Sequence, residues 1–388
     1  MTMTKEERVL RVIRGQEVDY LPSQITFSDR TRDQAISETL GLASADDLDD
    51  YLENHLHITL SLHDSPLFYR NDRDKMNRLA DMGFCGPDWD NGVVYDSWGM
   101  GIKVGSDGFF SYFHPLANNA TPEIAEHMPP DVNRDVLFQD IAEAVANYNA
   151  PDLTRPGCFD DMKRDLAEKS GEFLVMPSGY CGIYERAYGL MEFQQFMTNI
   201  ALKPRVIHDL LEKITDYRVE YAKKVVEMGF KVAHHGDDLG TQTGPLFSHE
   251  MFREFILPRI ERSWQPYNDA GIPIILHSCG AITEFLGDLI DIGLRVLEPV
   301  QPCMDLALLK REFGKDLVFW GGIETQNLLP FGTPEQVKEL ARNTIRTLGA
   351  GGGHIIGPSQ EIMNDVPLEN VKALVETIVE ERQTVLSL

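Results

Sequence analysis

A chain of 388 residues is long for one domain, so it holds either one domain with insertions or two ordinary ones. Hydrophobic residues at 43% and charged residues at 25% supply a sizeable core and exclude a disordered chain. Lys+Arg of 36 against Asp+Glu of 61 gives a net charge of −25, which repels phosphate backbones and anionic lipid heads and excludes nucleic acid and membrane surfaces as partners.

In chain order, the polar start Met1-Thr-Met-Thr-Lys-Glu-Glu-Arg8 runs into an amphipathic helical pattern. No apolar run reaches bilayer length, so the expected location is the cytoplasm. Five widely scattered cysteines, Cys85, Cys158, Cys181, Cys279 and Cys303, fit mostly buried free thiols in a reducing compartment. Strands are expected at 21–27, 55–62, 173–178, 231–236, 273–278, 296–301, 317–322 and 354–357. From about residue 170 one phrase recurs: a helical stretch, a glycine, then a short apolar run. It occurs at Gly229, Gly271, Gly293, Gly314 and Gly349, each read as a helix stop before a buried strand. Thr333-Pro-Glu-Gln336 opens one of these helices with an N-cap, a first-turn proline and a capping-box glutamine.

Eight strands alternating with helices, and neither a GxGxxG nor a Walker phrase, indicate an α/β chain folded as a single (β/α)8 TIM barrel. About 110 residues separate the second and third strands. The stretch Asp96–Phe113 alternates like a β-hairpin, and Pro129-Pro130 and Pro151 punctuate a surface helix. Residues 1–388 are therefore read as one domain, with an inserted β-hairpin and helical segment at about 63–170 over the barrel mouth.

Active sites of such barrels gather at the C-terminal ends of strands, and these ends are polar here: His234-His235-Gly-Asp237-Asp238, His277-Ser-Cys279-Gly280, Glu298-Pro-Val-Gln301, Glu324-Thr-Gln326 and Ser359-Gln360-Glu361. His277 and Cys279 flank one residue, so on an extended strand both side chains point the same way. An imidazole and a thiolate on one face suit zinc, with Glu298 of the next strand as an oxygen donor; the plain alternative is a hydrogen-bonded rim histidine beside an inert thiol. Asp237 and Asp238 read as an acid/base pair or substrate clamp, or equally as one carboxylate capping the following loop and one facing water. Asp96, Tyr180 and Tyr184 are weaker candidates.

These residues carry a family resemblance. His277-Ser-Cys-Gly280, Leu297-Glu-Pro-Val-Gln-Pro302, Phe319-Trp-Gly-Gly-Ile323, Gly351-Gly-Gly-His-Ile-Ile-Gly-Pro358 and Asp365-Val-Pro-Leu-Glu-Asn370 resemble the uroporphyrinogen decarboxylase superfamily. That superfamily includes the decarboxylase, the cobalamin-dependent methyltransferases and, more distantly, cobalamin-independent methionine synthase. The resemblance runs from about Tyr180 to the C-terminus. The decarboxylase branch implies an Arg-x-x-x-Arg loop after the first strand, where this chain has Thr26-Phe-Ser-Asp-Arg30-Thr-Arg32, a poor cradle for so anionic a substrate. The methyltransferase branch implies zinc on the His-x-Cys pair, often a Glu on the next strand, and a late Cys after strand eight. His277, Cys279 and Glu298 match, while Gln360 stands where the late Cys is expected.

A metal set of His277, Cys279, Glu298 and Gln360 is harder than a sulfur-rich one, which favours a methyl donor other than a thiol, such as a methyl ether. The expected activity is methyl transfer between that donor and a corrinoid (cobalamin) carried by a partner protein. Asp237, Asp238 and Glu324 would be catalytic, with His235, Tyr180, Gln301 and Gln326 binding substrate. A homodimer is implied by the family habit. The alternatives are decarboxylation of a porphyrinogen or related acid, and a catalytically idle barrel that carries a corrinoid or tetrapyrrole.

Overall fold

In the computed structural model, residues 3–106 and 111–388 are described. Residues 107–110, within the stretch read as a hairpin, and the side chains of Arg30 and Asp46 lie outside that description.

The strands are β1 (Leu56–Thr59), β2 (Cys85–Asp88), β3 (Val93–Asp96), β4 (Gly101–Lys103), β5 (Ser111–Phe113), β6 (Leu174–Pro177), β7 (Ala233–Gly236), β8 (Gly240–Thr241), β9 (Gly244–Pro245), β10 (Ile274–His277), β11 (Leu294–Val300), β12 (Val318–Ile323) and β13 (His354–Pro358). Strands β7, β10, β11, β12 and β13 form one parallel sheet in sequence order, and β1 pairs in parallel with β6. Ser23 links the two sheets, bridging Asn54 on one side and Ile356 on the other. The ladder is interrupted between β6 and β7. There the Gly236 amide donates to the Gly179 carbonyl at 2.9 Å, and a Cβ on Gly179 would lie 1.8 Å from the His234 carbonyl oxygen. Only a residue without a side chain lets the backbones meet so closely.

The first strand read from the sequence is thus reduced to isolated bridges at Ser23 and Phe27; Pro22 removes one donor from that segment. The helix stops are mixed. Gly229, Gly271 and Gly293 take positive φ, whereas Gly314 remains right-handed after its helix and Gly349 is the last residue of the helix beginning at Pro334. The capping box of Thr333 and Gln336 is formed, and the helix Pro204–Met228 has the extent its apolar stripe indicates.

Alternation along the strands sorts side chains into two layers. Leu56, Ile58, Leu174, Met176, Val232, Ile275, Val296, Val318, Trp320 and Ile355 face one another in an inner cluster. Ala233, Ile274, Leu276, Leu297 and Phe319 face the outer helices. The helix Lys5–Ile13 inserts Val9, Leu10, Val12 and Ile13 into the inner cluster. It sits at the end where strands begin, since Glu6 pairs with Lys231 and the Ile13 carbonyl accepts from Arg295.

The insertion is larger than a hairpin: β2, β3, β4 and β5 make a four-stranded antiparallel sheet. Its apolar residues, among them Phe84, Tyr95 and Trp98, share one hydrophobic cluster with Leu190, Leu210 and Phe252 of the helices around the parallel strands. Arg186 adds a buried tie, meeting Asp96 at 3.1 Å and Asp64 at 3.8 Å.

Candidate functional site

The inner and outer layers decide which polar strand ends reach the mouth. His277 lies on the inner face two residues beyond Ile275, and its register partner across the ladder is Glu298. His277 Nδ1 and Glu298 Oε2 are 2.6 Å apart. The opposite ring nitrogen, Nε2, faces Cys279 Sγ at 3.8 Å and Asp238 Oδ1 at 3.6 Å. Asp238 also accepts the Cys279 amide at 2.7 Å.

His277, Cys279 and Asp238 thus form one group of potential metal ligands, and His234, His277 and Glu298 form another. The sequence reading put Cys279 and Glu298 on one ion; the structure sets them on opposite edges of the same imidazole, with Asp238 beside Cys279. Gln360 Nε2 is 3.1 Å from Cys279 Sγ, so the residue in place of the expected late Cys does approach the thiol. Gln301 Nε2 also donates to Cys279 Sγ at 3.3 Å, and its oxygen accepts the Gly280 amide at 2.8 Å. Gln301 therefore holds the Cys279–Gly280 turn rather than lining the cavity.

Zinc fits the first group. Bonds of about 2.0 Å to nitrogen and 2.3 Å to sulfur at a tetrahedral angle separate the two donors by roughly 3.6 Å, close to the spacing of His277 and Cys279. A carboxylate on the far ring nitrogen is the usual orienting partner of a metal-bound histidine. Burial pushes the Cys279 thiol up to about 11 despite the opposing effect of His277. Burial alone would lower His277, but Glu298 and Cys279 outweigh it and raise it well above the usual imidazole range. A cation would have to displace a proton from each.

The cavity beside this group holds about 90 Å³. Its wall combines Tyr180, Glu185, Tyr188, Asp238, His277, Gln360 and Glu361 with Leu67, Phe68, Met100, Ile102 and Ser111 of the insertion. Among the described residues, no Lys or Arg lines it. Tyr180 packs edge-on against His277 at 5.5 Å and against Phe68 at 5.0 Å.

The outward-facing residues have other duties. Asp237 is fully buried behind β7 and accepts the amides of Ile183 and Tyr184 on one oxygen and of Glu185 on the other, at 2.7–3.0 Å. It anchors the start of the helix Tyr184–Met191, since a carboxylate suits the free amides there. His235, also outward, packs edge-on on Trp264 at 5.6 Å. Glu324 accepts the amides of Gln326, Asn327 and Leu328, which fixes the turn after β12, and Gln326 is exposed there. Asp237, Glu324, His235 and Gln326 therefore do not line the cavity. Asp96 is occupied with Arg186, and Tyr184 is buried against Phe247.

Glu185 and Tyr188 were not singled out from the sequence. Both lie on the helix that follows β6, so the strand-end rule applied to β7–β13 also reaches them. Glu185 has no hydrogen-bond partner for its carboxyl among the described residues. Burial first, then the carboxylates of Asp238 and Asp237, raise its pKa well above the usual range. The insertion's apolar wall carried no sequence signal, because Phe68, Met100 and Ile102 look like ordinary core.

An α/β fold with a His-x-Cys pair and acidic groups at its strand ends defines the class; the comparisons define the family. The model of the family described as uroporphyrinogen decarboxylase (URO-D) matches residues 123–381, well over half the chain, and the protein belongs to that family. Among curated relatives, the methylcobamide:CoM methyltransferase MtaA of Methanosarcina barkeri is 27% identical over 208 residues, 54% of this chain and 59% of the relative. The methylated-thiol–coenzyme M methyltransferase of Methanosarcina mazei is 29% identical over 176 residues, 44% of each chain. A uroporphyrinogen decarboxylase of Chlorobaculum tepidum is 29% identical over 184 residues, 46% of this chain and 50% of the relative. The chain thus aligns with about half the length of these relatives. A solved structure described as a methyltransferase from Methanosarcina mazei superposes with a TM-score of 0.61 at 19% identity, covering 97% of this chain and 99% of the other, which shows a shared fold.

Proposed function

We propose that the protein is a zinc-dependent methyltransferase that moves a methyl group between a small donor and a corrinoid carried by a partner protein. The same reading takes residues 1–388 as one (β/α)8-barrel domain with the insertion as a wall of its mouth. The observation that carries it is the pairing of His277 Nε2 with Cys279 Sγ at 3.8 Å beside a small cavity, with Glu298 on the far ring nitrogen. The methyltransferase relatives support the choice of chemistry.

His277, Cys279 and Asp238 would hold the zinc ion, with Gln360 the nearest further side chain. Bound there, zinc supplies a Lewis acid for the atom that gives up the methyl group. A set with one sulfur, one nitrogen and oxygens is harder than a sulfur-rich one, so a methyl ether is the first donor to try. The chain's own residues do the rest. Leu67, Phe68, Met100 and Ile102 keep water from the reacting end of the donor. Glu185, which lines the cavity, would give a proton to the departing oxygen, in the manner of other buried carboxylic acids. Tyr180 sets the orientation of the His277 ring.

Decarboxylation of a porphyrinogen is the weaker reading, although decarboxylases are among the relatives. A cavity of about 90 Å³ is far below the size of sites for larger ligands, and among the described residues its lining includes three carboxyl groups and no Lys or Arg to receive the carboxylates of such a substrate.

Elemental analysis of the purified protein and of His277→Ala and Cys279→Ala, beside an assay of methyl transfer from aryl methyl ethers to cob(I)alamin, tests the proposal. Near-stoichiometric zinc in the wild type, lost from both variants together with activity, is the expected result. Full activity in metal-free protein would overturn it.

A further inference from the structure

His234 stands on the inner face of β7, in register with Ile275, and its side chain is fully buried. Its Nδ1 accepts the Gly179 amide at 3.0 Å. A ring nitrogen that accepts carries a lone pair and no hydrogen, so the ring is neutral and its proton sits on Nε2. That Nε2–H has no hydrogen-bond partner among the described residues, and it lies 4.0 Å from Glu298 Oε2.

His234, His277 and Glu298 are near enough to one another to hold a cation, but the tautomer speaks against it. Lending the Nε2 lone pair to a metal would move the proton to Nδ1, where the Gly179 amide already points. The two backbones are in close contact at that seam, where a Cβ on Gly179 would lie 1.8 Å from the His234 carbonyl oxygen.

We infer that His234 is a positioning residue rather than a metal ligand: its Nε2–H is the second donor to the Glu298 carboxylate, which in turn holds Nδ1 of His277 and aims Nε2 at Cys279 and Asp238. The inference rests on the zinc reading above. A buried donor without an acceptor is costly, and a carboxylate movement of about 1 Å brings the pair to hydrogen-bond distance. With two imidazole donors on it, Glu298 stays on the back of His277 instead of swinging toward the ion. This accounts for a carboxylate that the family pattern offers as a ligand standing on the opposite ring nitrogen.

Two measurements test it. In metal-free protein with 15N-labelled histidine, the His234 ring, assigned by its disappearance in His234→Gln, is expected as the Nε2–H tautomer. An Nδ1–H tautomer overturns the inference whether or not zinc binds. Zinc affinity is then measured by chelator competition for the wild type, for His234→Gln, which keeps an amide donor, and for His234→Leu. Loss of an orienting partner typically costs about 10–100-fold in metal affinity. That loss is expected in the leucine variant, with little change in the glutamine variant and the same cobalt(II) spectrum in all three. Equal losses in both variants with an altered cobalt spectrum would make His234 a ligand, and unchanged affinity in the leucine variant with a lowered melting temperature would make it merely structural. Either result overturns the inference. Failure of the wild type to take up zinc sinks the methyl-transfer reading alone, and the tautomer then decides this one.

Discussion

Neutralising Asp237 and Asp238 one at a time should damage two different properties, although the residues are adjacent. Asp237 receives three backbone amides at 2.7–3.0 Å with no exposure. In Asp237→Asn the amide NH2 must face at least one of those donors, so one bond is lost and the others lose their charge. Hydrogen bonds to a charged group contribute about 1.5–3 kcal/mol each, which gives a destabilisation of roughly 3 kcal/mol. The helix carrying Glu185 and Tyr188 would be displaced with it, so activity falls while zinc is retained. Asp238 is 37% exposed and accepts a single amide, that of Cys279, a bond its asparagine can keep. Asp238→Asn should therefore cost no more than about 1 kcal/mol, within the range of ordinary surface changes, and should weaken zinc instead. Denaturant unfolding of the metal-free variants gives the first quantity and chelator competition the second. Wild-type stability in Asp237→Asn, or the larger stability loss in Asp238→Asn, would refute the division of labour drawn from strand alternation.

Glu185→Gln should fold normally and lose about 10²–10⁴-fold in methyl transfer, least for donors with good leaving groups; an undiminished rate would remove Glu185 from the chemistry. Gln360→Cys should tighten zinc binding, because its side chain already approaches Cys279, and an unaltered affinity would show that position 360 does not reach the ion. Acid should unfold the protein through His55 and His354, whose burial lowers their pKa to about 3 and about 4. The unfolded chain takes up these protons near pH 6.5 and the folded chain does not, so stability falls as pH drops below 6.5 and goes on falling toward those values. At pH 5 each costs about 2 kcal/mol. Glu185 and His277, with raised pKa values, gain stability over the same fall in pH, so the check is a difference: the change in stability between pH 7.5 and pH 5 in chelator-containing buffer should be less unfavourable by about 2 kcal/mol in His354→Asn than in the wild type, and equal changes would contradict this.

The parallel strands were legible because each is a short apolar run after a helix, and seven of the eight segments read from the sequence overlap one. The eighth, around Ser23, survives only as bridges, since apolar character cannot reveal that Pro22 thins the ladder. His277 and Cys279 were legible as a pair, but Asp238 reads in the sequence as a partner of Asp237, and its place beside Cys279 comes only from the fold. Polar strand ends look alike in a sequence, and it is the pleat that turns His234, His277 and Glu298 inward and His235 and Asp237 outward. Glu185 carries no signal in the sequence, because a single acid on the helix after β6 looks like any solvated helix residue until the fold turns it to the cavity. The insertion was found from its length, but which of its apolar side chains face the cavity depends on the strand pairing of β2–β5.

The short helix near the N-terminus plugs the end where the parallel strands begin with Val9, Leu10, Val12 and Ile13. Phe68, Met100 and Ile102 of the insertion line the cavity beside His277. Selection of the donor would be exercised by a gatehouse built from the insertion, physically separate from the groups that would bind the ion. Reshaping that gatehouse should retune which molecules are admitted while the proposed metal chemistry stays as it is.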